Sequence, residues 1–583
     1  MVCGYIRCGW RIYTIFCMHG PRTSSWLAGA LLALAWPVAA GNAAHAAQSA
    51  QDNRPSSQIS AHKALTFEEF VDATIAQERR LTKLMRNFKP IVETYIQEQK
   101  SDPDVQTSPK DDVYFLSRLR LNGNEFDIQE FETRERAKPE RKNLLRKAKA
   151  EVFSAEDFAQ AIFPDMGRFD RQNYEFRLVR WEMVNEIRCI VIDVTPRAGS
   201  DNRGFVGRLW VEDEDNNIVR FTGTYTSKAY SKHSFHFDSW RLNTLGSMWM
   251  PAYIYSQESD PNDPASHGLW FKAQTRIWGY DLQQAGDHRE NAKRLTDNPE
   301  AADPNRQEDS QNLNPQLTVG GSTYTPEDQV VERLQLAGLM APDGEVDRIL
   351  ETVVNNLQVT NNLDIAGVRC RVLMTTPLES FVIGRTIVLS RGLLDVIPDE
   401  ATLAAVVAHE LAHIVLKHSL GPDNRSWLRP LFSDMEIFTR LDFRFDAAKE
   451  ADADRKGQEL FSKSPYADKV GNVALFVQAL AARSPQLLNL VRGRLSNDFA
   501  TSHLVGMQAV AGSPQTLRMK QPDQIAALPL GSRIKVDPWS DRIEMLKVKS
   551  PPPISASEKR PFEVSPFFPY LKRLDEQKAQ ANP

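Results

Sequence analysis

Cysteine is scarce in this sequence. Of five in 583 residues, Cys3, Cys8 and Cys17 fall near the N-terminus, leaving only Cys189 and Cys370 in the body of the chain. Two distant thiols exclude a disulfide framework and a cysteine-built metal site. They do not exclude an oxidising compartment, where few thiols avoid mispairing. Charge of one sign is also missing: 71 Lys and Arg against 75 Asp and Glu give a net −4. With no dense basic stretch, a nucleic-acid-coating surface is excluded. Beyond the N-terminal region no run approaches the roughly 20 apolar residues that a membrane span needs. What is present, 42% apolar and 25% charged residues, is ordinary for a globular protein of several domains.

The N-terminus reads as a leader. Arg22 precedes an apolar run from Trp26 to Ala40, and small residues follow to Ala47, including Ala44-His45-Ala46. A positive flank, a short apolar core and a small-residue exit predict a signal peptide over 1–47, with Met18 as an alternative start. The expected location is therefore outside the cytoplasm, in the periplasm, with an uncleaved membrane anchor as the alternative.

Residues 48–62 are polar and small, the composition of a disordered lead-in. Leu81, Leu84, Met85 and Phe88 recur at helical spacing, so a helix is expected from Thr66 to about Gln99. From Val113 to Leu282 the pattern is β. Phe205–Val211 and Ile218–Tyr225 alternate on either side of a turn-like stretch and predict a hairpin. Trp181, Trp210, Trp240, Trp249, Trp270 and Trp278 all fall in this region. A twisted antiparallel sheet, open or partly closed into a barrel, fits. The tryptophans are either core residues or the lining of an apolar groove. The succession of Trp-containing strands and the phrase Gly204–Gly223 resemble LolA-like lipoprotein carriers. Expected domains are an α+β sheet domain over 62–283, a polar linker over 284–324, a mostly helical domain over 325–520 and a proline-rich tail over 521–583, extended on the surface.

The chemistry gathers after Pro398. Asp399 and Glu400 suit a helix start and Gly421-Pro422 suits its end. Inside lies His409-Glu410-Leu411-Ala412-His413. Histidines at i and i+4 share one helix face, so both can reach a single zinc ion. Glu410 can then take a proton from zinc-held water, whose pKa falls to about 7, and return it to a leaving amine. His418 is expected off that face. A catalytic zinc needs a third ligand, and the stretch Lys449–Gly457 offers Glu450 for the metal and Asp454 to orient a ligand histidine.

HExxH followed by E-x-x-A-D is the signature of the zinc metallopeptidase family of HtpX, BepA, the Oma-type proteases and the CAAX prenyl proteases, which the chain resembles over about 330–515. Ile387–Ser419, with Arg391-Gly392-Leu393-Leu394, resembles it too. The resemblance implies one Zn2+ per chain held by His409, His413 and Glu450, with Glu410 as catalytic base. The family's Asn-Ala-Phe substrate edge strand corresponds to Glu379–Gly384. Two signature residues are replaced there, but backbone pairing through Ser380, Phe381 and Val382 does not depend on them. The family's T-x-H-P segment corresponds to Thr501-Ser502-His503-Leu504. His503 would bind substrate, stabilise the oxyanion or plug the zinc, unless it is a surface histidine.

The expected fold class is thus α+β and multidomain: an N-terminal antiparallel sheet domain and a mostly helical zincin-type metallopeptidase domain. The expected activity is zinc-dependent hydrolysis of peptide bonds in unfolded or misassembled envelope proteins. Expected partners are polypeptides, with room for peripheral association with envelope membrane proteins, and no nucleic acid. Two alternatives remain: a chaperone or apolar-ligand carrier with a latent, plugged site, and an amidase acting on cell-wall peptides.

Overall fold

The computed structural model describes residues 65–102, 106–132, 153–198, 204–226, 235–243, 248–258, 270–280, 318–319, 322–323, 326–420, 433–502, 517–518, 524, 526–531, 533–546 and 560–573. The expected leader and most of the expected linker lie outside them. The described residues all belong to one compact unit, Ala64–Pro583.

Helix α1 spans Phe67–Met85 and starts at a reciprocal cap, in which the Thr66 hydroxyl accepts from the Glu69 amide and the Glu69 carboxylate accepts from the Thr66 amide. It ends well short of Gln99. Pro90 cannot continue a helix. Beyond it, Ile91, Val92, Thr94, Tyr95 and Ile96 are β-branched or aromatic, and Ile91–Asp102 forms strand β1. Strand β1 pairs on both sides, with β2 (Gln106–Asn122) and β10 (Phe271–Trp278). The helical expectation for this stretch is corrected: a central strand buried on both faces has no 2-residue alternation to betray it.

Between these come β3 (Glu125–Glu130), β4 (Tyr174–Val184), β5 (Ile187–Pro196), β6 (Phe205–Glu212), β7 (Ile218–Tyr225), β8 (His236–Asn243) and β9 (Trp249–Glu258). They build an antiparallel sheet in the order β3-β2-β1-β10-β9-β8-β7-β6-β5-β4. The expected hairpin is β6–β7. The sheet is open, with β3 and β4 at its edges.

Alternation along the strands sends residues to two different layers. Ile190, Ile192, Leu209, Phe221, Phe237 and Ile254 pack with Phe70, Val71 and Ile75 of α1. Arg241 and Glu78 close this layer in a bidentate pair at 2.7 Å for both bonds. Trp210, Trp240, Trp249, Tyr253 and Trp278 face the other way and join the apolar cluster of the C-terminal domain. These four tryptophans are core residues, whereas Trp181 on edge strand β4 is 57% exposed.

The C-terminal domain contains α2 (Pro326–Leu336), α3 (Glu345–Thr360), α4 (Arg391–Val396), α5 (Glu400–Val415), α6 (Ala447–Ser462) and α7 (Val470–Arg483). A small sheet accompanies them: Arg369–Leu373 lies parallel to Thr386–Ser390, which pairs antiparallel with Ser380–Ile383. No described helix is long and apolar enough to cross a membrane.

Buried polar groups tie the domain to the large sheet. Glu93 of β1 pairs with Arg391 and accepts from the Thr376 amide at 2.5 Å and hydroxyl at 2.8 Å. Asp395 faces Arg391 at 3.6 Å and Arg276 of β10 at 3.9 Å, and accepts the Ile534 amide at 2.8 Å. Two arginines thus meet two carboxylates in a nearly dry, charge-balanced seam. The tail is not confined to the surface. Phe562 and Leu571 are fully buried, and the Gln97 amide clasps the backbone on both sides, donating to Phe562 O at 2.8 Å and accepting from Val564 N at 2.9 Å.

Candidate metal centre

Helix α5 begins where Asp399 accepts the Thr402 amide and hydroxyl, both at 2.8 Å. Its residues from Ala401 to His413 are buried on every side. Alanines at 404, 405, 408 and 412 let neighbours approach closely. Helix α6, capped by Asp446 on the Lys449 amide, crosses it at Gly457. A Cβ there would sit 3.0 Å from His409 Cα, so glycine permits this crossing distance.

The crossing brings the expected residues together. His409 Nε2 and His413 Nε2 are 3.3 Å apart. Glu450 Oε2 lies 3.4 Å from His409 Nε2, and its Oε1 4.0 Å from His413 Nε2. The three ligand atoms fall within 4.8 Å of one another, and all three residues are buried. Behind them Asp454 Oδ1 is 2.8 Å from His409 Nδ1. That bond places the His409 proton on Nδ1 and turns a bare Nε2 to the centre when the ring is neutral. Burial alone would lower the His409 pKa, but the Asp454 and Glu450 bonds and the nearby Glu410 charge outweigh it and push it up to about 10. The carboxylates thus demand a positive charge at this point. Glu450 Oε2 is buried, with the His409 imidazole 3.4 Å away. A buried carboxylate facing two imidazoles fits a divalent cation. Glu410, only 1% exposed, is next in sequence to His409.

Residues 341–433 match the model of peptidase family M48. The match shows that this segment is similar to that family. The matched segment contains both histidines and Glu410 but stops before Glu450 and Asp454, whose places rest on the geometry above. A search of the curated proteins finds no match. Among solved structures, the chain is similar to a LolA-superfamily protein from Nitrosomonas europaea, at 12% identity over 37% of this chain and 93% of that one, with a TM-score of 0.21. It is also similar to a DUF1329 family protein from Desulfovibrio piger, at 10% identity over 36% and 93%, with a TM-score of 0.20. At these scores neither likeness bears on what the chain does.

In the C-terminal domain, Ser380, Phe381 and Val382 form a buried strand at the edge of the small sheet, next to α5. Its outer flank has no strand partner among the described residues. Phe381 stacks face to face on Phe443, with centroids 4.7 Å apart. His503 lies outside the described residues.

Two neighbours of the site carry no sequence signal in the HExxH pattern. Phe445 lies flat on the His413 imidazole, at 4.1 Å and 14°. His418 is off the three-ligand group, as its spacing implies, yet its Nδ1 is 3.0 Å from His413 Nδ1.

Proposed function

We propose that the chain is an exported zinc-dependent endopeptidase that hydrolyses peptide bonds of unfolded or misassembled envelope proteins. The observation that carries this reading is the convergence of His409, His413 and Glu450 beside Glu410. These residues would hold a zinc ion, which would supply a Lewis acid for the scissile carbonyl and acidify the attacking water. Glu410 is the residue that takes a proton and returns it to the leaving amine. Asp454 holds His409 in the tautomer that coordinates. Ser380, Phe381 and Val382 form the edge strand of the small sheet, and an extended polypeptide pairing there engages backbone, which suits unfolded substrates of varied sequence. His503 assists or plugs the site. The filled tryptophan face of the sheet supports this reading over an apolar-ligand carrier.

Export rests on the leader-like sequence before Ala47, and the periplasm is the compartment it fits. Cell fractionation with N-terminal sequencing tests it: a chain retained in the cytoplasm with residues 1–47 intact counts against it.

Zinc content and cleavage of unfolded casein test the activity. The unmutated protein should hold one zinc and cleave. Glu410→Gln should keep zinc and lose cleavage by about 100- to 10,000-fold, the usual contribution of an acid–base group. Glu450→Ala should lose zinc as well. An unmutated protein that binds no zinc under conditions that do not strip metal overturns the reading.

A further inference from the structure

We infer that His418 is a positioning residue for the metal ligand His413, put there by the way helix α5 ends. The inference rests on the metal site proposed above. Two backbone bonds terminate the helix: Lys417 N–H to Ile414 O at 3.1 Å and His418 N–H to His413 O at 3.0 Å. Between them Lys417 adopts the left-handed conformation, with φ at 54°. This is the helix stop in which the chain doubles back, setting the second residue past the cap against the residue five positions earlier. That contact is ordinarily apolar. Here it joins two imidazoles, His418 and His413, Nδ1 to Nδ1 at 3.0 Å. Glycine commonly holds the left-handed position; this chain adopts it with lysine.

The bond has one consistent proton assignment when His413 coordinates. Its Nε2 faces Glu450 and must be bare, so its proton sits on Nδ1 and the His418 Nδ1 accepts it. Phe445 flanks both rings, its centroid 4.1 Å from that of His413 and 6.0 Å from that of His418, which fixes the plane in which the bond forms. The two histidine ligands therefore have different supports. A carboxylate backs His409, and a neutral imidazole supplied by the helix stop backs His413.

The test is zinc affinity of the whole chain, by competition with a chelator of known strength, with the melting temperature of the metal-free protein measured alongside. His418→Asn keeps an acceptor atom where Nδ1 stands, whereas His418→Phe fills the space without one. The phenylalanine variant should bind zinc 10- to 100-fold more weakly, roughly the usual effect of losing such a partner. The asparagine variant should stay within a few-fold of the unmutated protein. His418→Ala, made in parallel, keeps the comparison intact if the phenylalanine variant folds poorly. Equal zinc affinity in the asparagine and phenylalanine variants overturns the inference. If that result comes with zinc still lost in Glu450→Ala, the metal site itself stands. If the unmutated chain binds no zinc, both readings fall.

Discussion

A buried histidine held at a pKa of about 10 by carboxylates is poised to exchange a proton for a metal ion. Ligand imidazoles must be neutral, so zinc uptake near neutral pH should expel the His409 proton. Calorimetric titration in buffers of different ionisation enthalpy should show about one proton released per zinc. A binding enthalpy independent of buffer would contradict the assignment. Asp454→Ala removes the support behind His409 and should weaken zinc binding by about 10- to 100-fold. The left-handed Lys417 makes a separate point about the same neighbourhood. Lys417→Gly should raise stability by about 1 kcal/mol, read as a higher melting temperature, because the strain of a β-carbon at φ 54° disappears. This part of the site could not be read in the sequence. A lysine in place of the usual glycine conceals the helix stop, and the stop is what returns His418 to His413.

At the scale of elements, the site depends on one helix crossing. Helix α6 carries both Glu450 and Asp454, and Gly457 sets how closely it approaches His409. Gly457→Val needs about a methyl group's width or more at a point where a single Cβ already meets backbone. Overpacking of this kind costs about 1–3 kcal/mol. The variant should also lose zinc affinity more steeply than an exposed change on the same helix such as Arg455→Ala. Similar zinc binding in the two variants would show that the crossing distance does not govern the ligand geometry. The ligands themselves were legible because their signals are local: i, i+4 spacing for His409 and His413, and again for Glu450 and Asp454. The cap at Asp399 marks the start of α5 in the same local way. Strand β1 was illegible for the opposite reason. Burial on both faces removes alternation, and the strand is recognised only through its pairing with β2 and with β10, whose residues lie far along the chain.

For the whole molecule, the two domains share one apolar cluster and a buried polar seam, so the C-terminal domain should not be separable. A fragment covering 325–520 takes Glu93 from Arg391 and bares the surface that the tryptophans cover. It should be insoluble or rapidly proteolysed, and the intact chain should unfold in one transition. No sequence pattern announced this, since Glu93 and Arg391 lie 298 residues apart. Asp112 gives the seam a pH dependence. It accepts the Leu490 amide at 2.8 Å, the Asn489 amide at 2.9 Å and the Tyr95 hydroxyl at 3.0 Å. Burial nevertheless pushes its pKa up from 3.8 to about 6. Between those values the folded chain keeps a proton that the unfolded chain has released. Stability must therefore fall as pH rises through this window and level off above it, by a few kcal/mol in all, at roughly 1.4 kcal/mol per pH unit. Asp112→Asn cannot titrate, so its denaturant-unfolding free energy should change less between pH 4 and 6.5 than that of the unmutated chain. Parallel curves for the two proteins would mean that Asp112 is ionised throughout and that its hydrogen bonds outweigh its burial.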